Sequence, residues 1–184
     1  MRMRIISGKL KGRYINVPKS NLIRPTTDRV RETLFNLLAN MINLNNVKVL
    51  DLYAGSGSLG LECFSRGAVE VYFVEKDYTI YKNLIENIKS LDINSNCYVK
   101  KIPALKFSAM KPESGYDLIL ADPPFFKYDI YDVVANLYKN KFFHEKTLMV
   151  IERSIQTRDK DTENFNIEPF KIIGDTCLYR LEYH

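Results

Sequence analysis

The chain has 184 residues, of which 46% are hydrophobic and 12% aromatic, and its 27 basic side chains outnumber 22 acidic ones. That size and apolar content suit one globular domain with a full core, and no apolar run is long enough to span a bilayer, so disordered, fibrous and membrane-spanning classes are set aside. Cys63, Cys97 and Cys177 are odd in number, far apart and without C-x-x-C spacing, which argues against a disulfide framework or a zinc site and for a reducing, cytoplasmic setting.

Taken in chain order, the first 31 residues hold nine basic side chains and one acid, Asp28, leaving 18 basic and 21 acidic for the rest. The opening, charged throughout rather than signal-like, is expected to be unprocessed. Within "RIISGKLKGRYINVP", β-type runs at 4–7 and 13–17 flank a turn bounded by Gly8 and Gly12. Residues 1–20 are therefore expected to form a basic hairpin arm, and 21–184 the main domain. A folded hairpin of this charge reads as a polyanion grip, with Arg4, Lys9, Lys11 and Arg13, and then Arg24, Arg29 and Arg31, as the expected contacting side chains. A solvated tail is the plainer alternative.

"RPTTDRVRETLFNLLANMI" carries a helix start signal and an apolar stripe at Val30, Leu34, Leu37, Leu38 and Met41. Beyond it, strand-like runs at 47–53, 69–75, 97–102, 116–122 and 147–152 alternate with helical patterns at 59–66, 77–91 and 130–138. The tail, "NIEPFKIIG" followed by "TCLYRLEYH", reads as a closing hairpin. Such alternation predicts an α/β fold: a mostly parallel sheet covered by helices on both faces, with an antiparallel pair at its end.

Ligands of such sheets bind beyond the carboxyl ends of the strands. The first main strand runs into "DLYAGSGSLG", a G-x-G-x-x-G at Gly55, Gly57 and Gly60, and Glu75 ends the next strand, where an acid can grip ribose hydroxyls. A nucleoside-containing cofactor is the expected ligand, held by Asp51, Ala54, Gly55, Ser56, Gly57, Glu75 and Lys76. Asp51 selects among such cofactors. It would repel a pyrophosphate and suits the ammonium and sulfonium of S-adenosylmethionine, while glycine backbone admits close approach. The competing reading has Asp51 merely capping the following helix.

The run "DLILADPPFFK" then acquires a purpose. Asp122 and the Pro123 carbonyl can accept the two N–H bonds of an exocyclic amino group, with both acceptors pre-aimed by the restricted proline backbone. Phe125 offers a face on which a flipped base can stack, worth about 1–3 kcal/mol. Asp122, Pro123 and Phe125 are accordingly the expected catalytic residues. His144 and His184 are the only histidines, and no metal site is expected.

Taken together, "RIISGKLKGR", "RPTTDRVRETLFN", "AGSG" and "DPPF" make the chain resemble, over nearly its whole length, the bacterial RsmD-like family of 16S rRNA guanine-N2 methyltransferases. The resemblance implies a class I, Rossmann-like methyltransferase fold with a seven-stranded sheet, S-adenosylmethionine as donor, and a guanine of 16S rRNA, free or in a partly assembled small subunit, as acceptor. By matching positions it gives Asp51, Gly55, Gly57 and Glu75 to the cofactor and residues 122–125 to the guanine. Two departures stand out: Phe125 where the family often has tyrosine, and Pro103 at the third strand's end, which leaves adenine recognition to backbone near Ala104. An adenine-N6 methyltransferase of DNA and a non-catalytic RNA-binding protein on the same fold remain the alternatives, and Asp51 disfavours a nicotinamide oxidoreductase.

Overall fold

The computed structural model describes residues 1–18, 28–124 and 128–183. Arg24 and Phe125, both expected site residues, and the helix start signal before Asp28 lie outside the described residues.

A short hairpin comes first, β1 (Arg2–Arg4) against β2 (Tyr14–Asn16), antiparallel, with Arg2 opposite Asn16. These strands sit nearer the hairpin's open end than the sequence suggests, because the turn is pulled onto another element. Gly8 is left-handed (φ 82°), and a Cβ there would lie 1.8 Å from the Ser65 carbonyl oxygen. Helix α1 (Asp28–Leu38) follows; Met41, expected on its stripe, lies beyond its end but still packs on the core.

The main sheet is built from β3 (Lys48–Leu52), β4 (Glu70–Glu75), β5 (Cys97–Lys101), β6 (Leu118–Ala121), β7 (Leu148–Ser154), β8 (Lys171–Ile173) and β9 (Thr176–Glu182). Its order is β5-β4-β3-β6-β7-β9-β8, parallel through β7 and antiparallel at β9 and β8. The intervening helices are α2 (Ser58–Ser65), α3 (Tyr78–Ser90), α4 (Ala104–Ser108), α5 (Asp129–Lys139) and α6 (Arg158–Phe165). Strand order reverses between β3 and β6, which puts the ligand crevice of a doubly wound sheet beyond the carboxyl ends of those two strands.

Alternation along the central strands divides the apolar side chains between two cores. Val49, Leu118, Leu120 and Val150 join α1, α2 and α3 on one face, while Leu50, Leu52, Ile119 and Ile151 join α4 and α5 on the other. The hairpin belongs to the first core: Met3, Ile5, Ile15 and Val17 are buried there with Leu34, Phe64 and Ile88. All three cysteines are buried and unpaired, Cys63 in α2, Cys97 opening β5 and Cys177 in β9. Among the described residues no helix is long and apolar enough to cross a membrane, and no cluster of metal-ligating side chains forms.

Candidate active site

Three carboxylates meet at neighbouring strand ends. Glu75 ends β4, Asp51 lies next to last in β3, and Asp122 directly follows β6, so adjacent strands deliver all three to the crevice. The apolar residues just before each acid, Val49 and Leu50, Phe73 and Val74, and Leu118 to Ala121, are buried.

Asp51 is 1% exposed, and its Oδ2 accepts the Gly60 amide at 2.9 Å in the first turn of α2. The capping reading is therefore realised, and it leaves the other oxygen for a second role. Burial pushes the Asp51 carboxyl well above its usual range, against the pull of the Gly60 amide, and the charges of Asp122 and Glu75 push it further. A cation entering this crevice would reverse the balance.

Glu75, also buried, accepts the Gly55 amide at 3.0 Å and the Asp77 amide at 2.8 Å, so it pins the glycine loop to the start of α3. Asp77 in turn caps α3 by accepting the Ile80 amide at 3.0 Å. The loop itself turns through left-handed backbone at Tyr53 (φ 59°), Gly55 (φ 57°) and Gly57 (φ 82°). A tyrosine in that region is strained, a condition that concentrates at ligand-binding loops. The Tyr53 hydroxyl donates to Asp129 at 3.3 Å, joining the loop to α5.

The three glycines divide the work differently from the sequence reading. A Cβ on Gly55 would meet nothing closer than the Tyr53 carbonyl oxygen at 3.9 Å, so its open side faces free space. On Gly57 it would strike Leu84 Cδ1 at 2.4 Å, and on Gly60 the Phe73 ring at 2.4 Å. Gly57 and Gly60 thus admit α3 and β4 to α2, and a valine at 57 would disrupt core packing rather than fill cofactor space. Ser56 and Ala54 are buried beside them.

These residues fit S-adenosylmethionine: a free approach at Gly55 and a carboxylate-rich crevice suited to its two cationic groups. The remaining expected contacts are scattered. Lys76 is exposed next to Glu75. Ala104 is 5% exposed and packs in the second core at the start of α4, just after Pro103, so only its backbone could reach a ligand. Asp122 is half-buried, Pro123 buried and Pro124 exposed.

Behind the crevice lies a buried network that the sequence does not announce. Arg153, 2% exposed, donates through Nε to both Asp161 oxygens at 3.0 and 3.1 Å, and Asp161 also accepts from Thr157 at 2.6 Å and Tyr131 at 2.7 Å. It bolts α6 and α5 to the end of β7.

The expected RNA residues separate into two groups. Arg4, Lys9, Lys11, Arg13 and Arg29 are exposed, although Lys9 Nζ sits 3.6 Å over the Phe64 ring and Arg13 donates to the Ser90 carbonyl at 2.8 Å. Arg31 is 1% exposed and donates to the Arg4 carbonyl at 2.6 Å and to Asp28 at 2.9 Å, so it is a strut between α1 and β1 rather than an RNA contact. Arg2 and Tyr14, not among the expected residues, share the hairpin's outer face with Arg4. The alternation of "RMRI" was the signal that could have found Arg2.

A family model described as conserved hypothetical protein 95 matches residues 3–182. The chain belongs to that family. Over 180 residues, 97% of this chain and 88% of the relative, it is 36% identical to ribosomal RNA small subunit methyltransferase D of Escherichia coli K12. The Haemophilus influenzae protein of the same name is 36% identical over 181 residues, 97% of this chain and 92% of the relative. Among solved structures, an Escherichia coli methyltransferase, yhhF, superposes with a TM-score of 0.81 at 30% identity, covering 100% of both chains. The fold is that of the class I methyltransferases, and S-adenosylmethionine is the methyl donor that goes with it.

Proposed function

We propose that the protein transfers a methyl group from S-adenosylmethionine to the exocyclic N2 of a guanine in 16S rRNA, in the small subunit or its precursor. The observation that carries this reading is the meeting of Asp51, Glu75 and Asp122 at three adjacent strand ends, with two prolines directly after Asp122. The relatives named for small-subunit rRNA supply the substrate class.

In this reading Asp51 and Glu75 hold the donor, and the open side of Gly55 lets it approach the loop. When bound, S-adenosylmethionine supplies an electrophilic methyl group on sulfur. Asp122 and the Pro123 carbonyl accept the two N–H bonds of the guanine amino group. That nitrogen is a poor nucleophile because its lone pair is delocalised into the ring. Two fixed acceptors draw it toward a pyramidal shape and aim the lone pair outward. Phe125 stacks on the flipped base. The exposed hairpin face, with Arg2, Arg4 and Lys11, meets phosphates.

The test supplies labelled S-adenosylmethionine with naked 16S rRNA, assembled small subunits or duplex DNA, and digests the product to nucleosides. N2-methylguanine from either RNA sample is expected; N6-methyladenine from DNA, or no transfer at all, would overturn the reading. Asp122→Asn turns one acceptor toward a donor, so single-turnover transfer is expected to fall roughly 100- to 1,000-fold with cofactor affinity almost unchanged. A rate within about threefold of the parent would remove Asp122 from this role.

A further inference from the structure

The hairpin is fastened to α2 at one end and, through α3, to the loop that opens α2 at the other. At the far end its turn is fastened by two side chains of α2. Glu62 accepts the Ile6 and Ser7 amides at 2.8 and 3.0 Å, and Ser65 Oγ accepts the Leu10 amide at 2.9 Å. At the near end, where α2 emerges from the glycine loop, a single carboxamide on α3 does the joining. Asn87, 1% exposed, accepts the Asn16 amide of β2 at 2.8 Å and donates to the Asn16 carbonyl at 2.9 Å. The same Nδ2 donates to the Ser56 carbonyl at 3.1 Å.

Ser56 stands between the left-handed Gly55 and Gly57, and the Gly55 amide is already tied to Glu75. The loop that would receive the donor therefore has its middle carbonyl bonded to the group that pairs with the hairpin's backbone. A ligand that settles Gly55 settles Ser56, and through Nδ2 fixes the orientation that Asn87 presents to Asn16. The Asn87 carboxamide is itself buried, so a bond it loses to the Ser56 carbonyl is not freely replaced by water.

We propose that Asn87 is a positioning residue that couples occupancy of the cofactor loop to ordering of the N-terminal hairpin. By reciprocity, whatever orders the hairpin tightens the loop on its ligand by the same factor. An RNA docked on the hairpin would then raise donor affinity, biasing the enzyme to load its donor where an acceptor is present. This inference rests on the reading of the glycine loop as the cofactor site; its RNA consequence rests also on the hairpin as grip.

The experiment is residue-resolved amide hydrogen exchange on the full chain, with and without S-adenosylhomocysteine as probe and with no RNA present. The readouts are the Ile5 and Val17 amides, which bond to the Arg13 and Met1 carbonyls across the hairpin; Asn87 bonds neither N–H, and Ile5 is the more independent of the two, because Val17 shares a peptide group with the Asn16 carbonyl that Asn87 holds. In the parent, the probe is expected to slow both about tenfold, within the usual range of coupling between sites. In Asn87→Ala both should still exchange as hydrogen-bonded amides, but respond to the saturating probe less than twofold. Asn87→Ser keeps a small polar group for the Asn16 backbone but is too short to bond Asn16 and Ser56 together, so it serves if the alanine variant does not fold. Hairpin amides indifferent to bound probe in the parent, or an unchanged response in the folded variant, would overturn the coupling. Failure of the probe to bind at all would overturn the cofactor reading and the coupling with it. A separate measurement, the salt dependence of rRNA affinity in Lys11→Glu, tests the grip without bearing on Asn87.

Discussion

Two buried glutamates hold two loops by the same chemistry, and they end in different states. Glu75 accepts the amides of Gly55 and Asp77, and Glu62 accepts those of Ile6 and Ser7. Glu62 is 0% exposed and also pairs with Arg66 at 2.8 Å, whose guanidinium lies over the Phe35 ring. Its charge is neutralised and its oxygens are enclosed. Glu75 stands at the crevice beside two further carboxylates, and each of its oxygens can accept a second bond. The difference teaches how to tell a structural clamp from a group proposed to bind a ligand: the clamp closes its own electrostatics, whereas Glu75 leaves some open toward a shared space.

The comparison can be broken most forcefully at Glu62. Glu62→Ala strips acceptors from two backbone amides and leaves Arg66 unpaired, so a loss of about 4 kcal/mol is expected, lowering the unfolding midpoint by ~10 °C. Calorimetry or urea unfolding checks it, and a shift under ~3 °C would mean that water replaces the carboxylate freely. Glu75→Gln should invert the pattern. Stability falls by only about 1–2 kcal/mol, because one amide acceptor survives, while S-adenosylhomocysteine affinity drops at least about tenfold in a binding titration.

The glycine loop sharpens the same contrast. Gly57→Ala places a methyl on Leu84 and is expected to cost about 2–3 kcal/mol of stability. Gly55→Ala bears only the strain of its left-handed backbone, about 1 kcal/mol, yet puts a methyl into the open space proposed for the donor. Parallel unfolding and titration should therefore rank the two variants in opposite order. The smallest effect concerns Asp51. Because its folded carboxyl titrates above the unfolded one, its proton favours the fold: that stability is complete below pH ~3.8 and is lost as pH climbs through the raised value. Asp51→Asn removes the charge and can keep the Gly60 bond. Without ligand it should unfold at a higher temperature than the parent at pH 7, a gap that narrows toward pH 4, while binding the cofactor more weakly.

What the sequence announced and what it hid follow from which side chains carry the signal. Helices α1, α3 and α5 show apolar stripes, and the central strands show unbroken apolar runs, so both could be read directly. Helix α6, "RDKDTENF", could not: its buried residues are Asp161 and Phe165, and an acid on the inner face defeats any hydrophobic period. Helix α4 has only five residues, too few to display one. Strand β7 runs two residues past its expected end because β9 pairs there, Ser154 opposite Thr176. At the site, Asp51, Glu75 and Asp122 were legible because each interrupts or ends an apolar run. Glu62 was not, since Glu62 and Arg66 at i and i+4 look like an ordinary surface pair on a helix. Arg31 was misread for the matching reason, a buried strut within a basic stretch. The hairpin's Met3, Ile5, Ile15 and Val17 lie in the first core, so deleting residues 1–20 would uncover that core and confound any measurement of RNA binding.

The three buried cysteines make the molecule its own stopwatch. Burial drives the Cys63 thiol far from ionisation and pushes the Cys97 thiol up to about 12, so an alkylating reagent at neutral pH finds almost no thiolate while the fold is closed. Labelling then waits for local opening. Cys63 reports the helix gripped by the hairpin, Cys97 the edge strand β5, and Cys177 the antiparallel end of the sheet. Mass spectrometry of the alkylated peptides would time three separate regions in one reaction, with no residue introduced from outside.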